Sequence, residues 1–287
     1  MKNSTTPPWC GDFAQHSPLY APLQPWAEQF KTFTVWPTLA DYKALLNTLP
    51  DPILTLAGEP LRIVAQDGKP SSFEEHYAPR IYLSGEIQTR QENWHDFFQL
   101  LTWLIFPRTK ALINAIHIPK ARARIDTRHD LGRRSPLENM LSLFDEGGAV
   151  VISSDPSLLQ LIRDFRWKTL FWQRRDELAS RLQCVTFGHA LYEKGLTPYV
   201  GMTANCILIP CDESLLQQPL PTQLRWLDGE LVALLKRGEL QQPRDLRPFP
   251  ILGMPDWDEN NRQESYYDNL NYFRPGRRAS PGQTQES

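Results

Sequence analysis

Between Gln91 and Phe106 the residues repeat with helical spacing. Trp94, Phe97, Phe98, Leu101, Leu104 and Ile105 recur at steps of three and four, which aligns them on one side of a helix. So dense an aromatic stripe must be covered by other segments, and the fold is expected to be organised around it. Pro107 ends the run, because its ring cannot continue the backbone ladder. A second helix is predicted from about Arg108 to Ile118, stopping before Pro119.

The rest of the chain has the material for that cover. Its 287 residues are 41% hydrophobic, with 9 Trp, 9 Tyr and 13 Phe, enough to bury a sizeable core. Collagen-like, coiled-coil, disulfide-rich and wholly disordered classes are excluded by the same composition. Prolines punctuate the chain from Pro7 to Pro60, where one helix is predicted at about Leu39–Asn47 and the remainder should wrap over the core. Residues 71–82 read as a loop, followed by a short strand near Arg80–Leu83. Ser135 can cap a helix, Pro136 fits its first turn and Glu138 completes a capping box, with Leu137, Met140, Leu141 and Phe144 as its buried stripe. Asp145–Gly148 should then turn the chain into a strand, Ala149–Ile152. Further helices are predicted at 156–165, 168–182, 186–194 and 223–236, with another strand at Asn205–Ile209. Helices dominate, strands are few, and no βαβ alternation is seen. The expected fold is therefore mainly α with a few short strands (α+β), a single compact domain over 1–275. It comprises a Pro-rich N-terminal arm at 1–60, a helical core at 90–240 and a Pro-rich C-terminal arm at 243–275, and the composition of 276–287 predicts a disordered tail.

Charge and cysteine usage narrow the function classes. Thirty-one Lys and Arg against 33 Asp and Glu leave a net charge of −2, too small a field to draw the whole molecule to nucleic acid or to a membrane. The most apolar stretch, Leu100–Phe106, is far too short to span a bilayer, so no membrane partner is expected. Cys10, Cys184, Cys206 and Cys211 form no CxxC pair and read as reduced thiols. The Met-Lys-Asn-Ser start carries no signal-peptide pattern, and the expected location is the cytoplasm.

Two histidine–carboxylate pairs carry the chemistry. His189 and Glu193 stand four apart, which on a helix puts both on one face. Glu92 and His95 have the three-apart version found in helix bundles that bind metals through carboxylates. With His117, they make a candidate ligand set (Glu92, His95, His117, His189, Glu193) for a divalent metal such as zinc, manganese or iron. Asp145 and Glu146 are candidate general bases beside His189, with Asp96 and Asn114 as further ligands or supporting groups. Eight cations and two anions lie between Arg108 and Arg134. Arg108 and Arg134 are the expected contacts for a small anionic substrate, phosphorylated or nucleotide-like, and Trp257 for the rim of its cleft. The reading is a hydrolase, metal-assisted or run by a histidine–carboxylate acid–base pair; an iron-dependent oxidation would use similar ligands. The alternative is a non-catalytic nucleic-acid- or nucleotide-binding protein using 108–134, with the His/Glu pairs as buried anchors. A third is a scaffold whose arms bind another protein.

Five blocks resemble the signature of a family. Glu92–Phe98 (ENWHDFF), Phe106–Lys110 (FPRTK), Phe144–Glu146 (FDE), Phe187–Glu193 (FGHALYE) and Pro250–Trp257 (PILGMPDW) are similar to a proteobacterial single-domain family of unknown function. The resemblance covers about residues 20–275. It implies a cytoplasmic bacterial protein and a shared polar constellation, with no activity attached, and the basic run at 119–133 departs from the family pattern.

Overall fold

The central helix is buried almost all the way round. In a computed structural model, which describes residues 7–66, 68–70, 72–127 and 134–276, it spans Trp94–Ile105, and every residue of it is buried except His95. The preceding chain forms helix α1 (Leu39–Asn47), strand β1 (Arg62–Ala65), α2 (Tyr77–Ser84) and β2 (Glu86–Thr89), so the central helix is α3. Asn93 caps it, accepting from the Asp96 backbone N–H at 3.0 Å. The sequence predicts one apolar face; the structure wraps the others too, since arm and core both pack on this element.

The N-terminal arm supplies much of that wrapping. Trp9 stacks on Trp94 at 4.8 Å, Phe13 meets Trp94, Phe97 and Phe98 edge-on, and the Tyr20 hydroxyl donates to the Tyr192 carbonyl at 3.0 Å. At the other end Tyr267 and Phe273 pack on Phe171. Pro-rich segments that cannot form long helices still bury aromatic side chains, and here they close the core.

Helix α4 (Pro107–Thr127) begins where α3 stops. Its first N–H groups are satisfied by Asp228 from a distant helix, which accepts from the N–H of Arg108 at 3.1 Å and of Thr109 at 2.8 Å. Contrary to expectation, α4 runs through Pro119. That proline is exposed, and loss of one backbone bond there is outweighed by the turns on either side. Helix α5 (Pro136–Gly147) has the predicted capping box, formed by Ser135 and Glu138. Its last turn includes Asp145 and Glu146, which the sequence places in a turn, and strand β3 (Gly148–Ser153) follows with no connecting loop. Glycine allows this: a Cβ on residue 148 would lie 2.2 Å from the Phe144 carbonyl oxygen.

After α6 (Pro156–Arg163) come a π-helical turn at Thr169–Gln173 and α7 (Arg175–Arg181), then β4 (Leu182–Thr186), α8 (His189–Gly195), β5 (Thr203–Pro210), α9 (Leu220–Arg237) and β6 (Arg247–Pro250). The main sheet has the order β4-β3-β5-β6, with β3 buried throughout, parallel to β5 and antiparallel to β4. The β1–β2 pair is also parallel, joined across α2. Only β1–α2–β2 is a βαβ unit; the path from β3 to β5 passes through β4, an antiparallel strand of the same sheet, so no regular βαβ alternation is present among the described residues. The strand expected at Arg80–Leu83 is helical, and Gly85 at φ 68° stops that helix just before β2. Likewise Leu182 and Thr186, the end of one predicted helix and the start of the next, join residues 183–185 in strand β4, whose backbone pairs with β3. The α+β class stands. Among the described residues no helix is long and apolar enough to cross a membrane.

Candidate metal centre

His95, the one residue of α3 that is not buried, opens onto a cavity of about 1060 Å³. Its walls include His76, Tyr77, Arg90, Asn114, His117 and Arg134. His189 enters from the first position of α8, and its Nε2 lies 3.0 Å from the Nε2 of His95. Glu146, in the last turn of α5, places a carboxylate oxygen 3.7 Å from the same His189 nitrogen. Donor atoms of His95, His189 and Glu146 all lie within 4.8 Å of one another.

Each ring is backed by a carboxylate. Glu193 accepts at 3.0 Å from the far nitrogen of His95, Nδ1, although its spacing suggested an ion shared with His189. Asp145 lies 3.9 Å from the Nδ1 of His189, which is buried and has no hydrogen-bond partner among the described residues. Lys110, buried against the cavity wall, donates to the other Asp145 oxygen at 2.5 Å. The side chains form a row, Glu193, His95, His189, Asp145, Lys110, of which the last four line the cavity.

Electrostatics separate the two rings. The Glu193 hydrogen bond raises the His95 pKa above the ordinary histidine value, against the opposing effect of burial and with help from Glu146 and Asp96. Burial lowers that of His189 to about 4, with Asp145 resisting and Lys110 and His95 assisting. Burial works to raise the pKa of Asp145 too, but Lys110, His189 and His117 outweigh it and hold the carboxyl below its usual range. The arrangement favours a charged His95 donating to a neutral His189, with Asp145 ionised behind it.

Two imidazoles bound to one ion at about 2.0–2.1 Å have their nitrogens roughly 2.9–3.4 Å apart, depending on the angle. The observed 3.0 Å fits that span. Exposed Glu146, 3.7 Å from the His189 nitrogen and within 4.8 Å of the His95 one, needs to move inward, and Glu193 behind His95 is the outer carboxylate that metal-binding histidines commonly carry. The residues present thus suit a divalent cation.

The other expected site residues divide. His117 and Arg134 line the cavity, and Arg134 donates to the Ser142 hydroxyl at 3.1 Å. Glu92 does not: it is exposed, at φ 51° in the turn before α3. Arg108 is exposed at the start of α4, beside Gly229, and Trp257 packs at the edge of the core; neither lines the cavity. Asp96 is engaged by Arg90, which holds both its oxygens. Of the basic stretch, the side chains of Lys120 and Arg124, and residues Arg128, His129 and Arg133 entirely, lie outside the described residues. Lys110 was legible only as one cation in that stretch. Its neighbours Ala111 and Ile113 are apolar and mark a buried face, a signal that its charge needs an internal partner.

A family model described as protein of unknown function (DUF3025) matches residues 61–277. No curated protein and no solved structure matches the chain.

Proposed function

We propose a metal-assisted hydrolase as the function of this chain, which belongs to the DUF3025 family. His95, His189 and Glu146 would hold a divalent ion, and the substrate would be a small anion. The observation that carries the reading is the 3.0 Å meeting of two histidine Nε2 atoms on a cavity floor with a carboxylate 3.7 Å away. A divalent ion held there supplies acidification of a bound water and polarisation of the scissile group.

The chain's own groups do the rest. Glu193 fixes the orientation of His95, so that its Nε2 faces the centre. Asp145, kept ionised by Lys110, faces the Nδ1 of His189 and favours a proton on that nitrogen, leaving Nε2 free to bind. Arg134, on the cavity wall with its guanidinium donating to the Ser142 hydroxyl, would receive the substrate's anionic group. Without an ion the two rings remain a usable acid–base pair, since a 3.0 Å nitrogen–nitrogen contact requires one proton between them. A cytoplasmic location belongs to the same reading and is supported by four unpaired cysteines.

Elemental analysis and calorimetric titration with zinc and manganese test it. Chelated and reconstituted wild type should hold one equivalent more than His95→Ala or His189→Ala. Glu193→Gln should keep that equivalent but bind it about 10–100-fold more weakly. Equal metal content in wild type and both histidine variants overturns the metal reading. Reconstituted protein is then assayed against chromogenic phosphate and carboxylate esters, and turnover should be lost in Glu146→Gln.

A further inference from the structure

We propose a second divalent-metal site, of the borderline-soft zinc type, formed on the N-terminal arm by Cys10, Asp12 and His16. It stands independently of the hydrolase reading, on residues outside the matched segment 61–277.

Three different donors converge there. The Cys10 thiol lies 2.9 Å from an Asp12 carboxylate oxygen, and the Nε2 of His16 lies 3.4 Å from the same oxygen. All three donor atoms fall within 4.8 Å of one another. Ligands around a tetrahedral zinc ion stand roughly 3.3–3.6 Å apart, so the thiol and carboxylate must open, and the thiol and imidazole, within 4.8 Å of each other, must settle to that spacing.

The side chains are partly exposed, but the backbone carrying them is fixed on both sides. Trp9 stacks on Trp94 and its indole N–H donates to the Phe33 carbonyl at 2.9 Å. Phe13 is 1% exposed, inside the aromatic core. Between them Gly11 lies so close to the chain at 30–33 that a Cβ would come within 2.7 Å of the Phe30 and Lys31 carbonyl oxygens. The donors therefore project from a braced frame, which lowers the ordering cost of binding. Half-exposed Asp12 and His16 leave the outer side open to a water as fourth ligand.

The donor set selects the cation. A thiolate and an imidazole favour zinc-like ions over magnesium or calcium, which prefer oxygen alone. Binding is a simple exchange: the thiol proton now directed at Asp12 leaves to solvent as the sulfur–metal bond forms, with no change of oxidation state.

Cobalt(II) is the probe, added to the full-length chelated protein. Only a sulfur ligand produces a near-ultraviolet thiolate-to-cobalt charge-transfer band, so the His95–His189 centre is silent in this measurement whether or not it binds. The band should appear in wild type, and in His189→Ala, where the other centre takes up no cobalt, it should saturate at one equivalent. It should vanish in Cys10→Ser, persist in His189→Ala, and require at least about tenfold more cobalt in His16→Ala. Circular dichroism checks that Cys10→Ser remains folded. No band in wild type, a band surviving Cys10→Ser, or one lost in His189→Ala would each overturn the site.

Discussion

His95 and His189 touch nitrogen to nitrogen at 3.0 Å although 94 positions separate them in the chain. The contact joins the only unburied residue of a core helix to the first residue of a helix that connects two strands of the main sheet, β4 and β5. Their surroundings push the two rings toward opposite protonation states. The consequences can be measured.

Acid should destabilise the chelated protein through His189. Its folded pKa of about 4 lies below the ordinary 6.5, so the neutral form is favoured by folding. The contribution is complete above about pH 6.5 and is lost as pH falls toward 4, a total of roughly 3 kcal/mol. His95 has the opposite sign: its raised value gives stability below its unfolded pKa that disappears as pH rises through the folded one. Urea midpoints recorded from pH 4 to 8 should show the acid limb in wild type and a flatter one in His189→Asn. Parallel curves would refute this assignment.

Lys110→Met should destabilise by about 2–4 kcal/mol, because it leaves the Asp145 charge against the cavity wall without its cation. Adding Asp145→Asn to that variant should recover part of the loss. Additive losses in the double variant would show that the pair is not coupled.

Gly188→Ala should separate the centre without dismantling the fold. A Cβ there would lie 2.4 Å from the Glu146 carbonyl oxygen and 2.5 Å from the Gly148 nitrogen, both backbone atoms that must move. The shift falls between Glu146 and His189. Metal affinity should drop by at least about tenfold with the helical circular-dichroism signal retained. Unchanged affinity counts against Glu146 as a ligand.

Asp228→Ala tests the join between α3 and α4. It removes the acceptor for the N–H groups of Arg108 and Thr109 and for the Thr109 hydroxyl. Thermal and urea denaturation should report a loss of about 1–3 kcal/mol. Thr109→Val should lose less, since the backbone bonds remain.

Helix starts were the most legible part of this fold. The Ser135–Glu138 capping box and the aromatic stripe of α3 are local patterns, and both appear where spacing puts them. Boundaries decided by distant partners were less so. Leu182–Thr186 becomes a strand because β3 is there to pair with it, and α4 starts cleanly because Asp228 reaches it from 119 residues away. Arg80–Leu83 was misread for a related reason, since its short apolar run fits a strand as well as a helix until Gly85 ends it.

For the site, residue types and their local spacing identified His95, His189, Glu193, Asp145 and Glu146 as polar groups on patterned elements. The amino-acid order alone thus settled an α+β chain with an aromatic central helix and an unusual concentration of imidazoles and acids beside it. Tertiary packing alone decided who faces whom: Glu193 turns to His95 and not to an ion beside its own helical neighbour, and Glu92 is left in solvent. The reason is that helical periodicity determines which residues share a face but not what lies opposite. That is set by the arms, sheet and crossovers that bury the helices, and through them by contacts tens of residues apart.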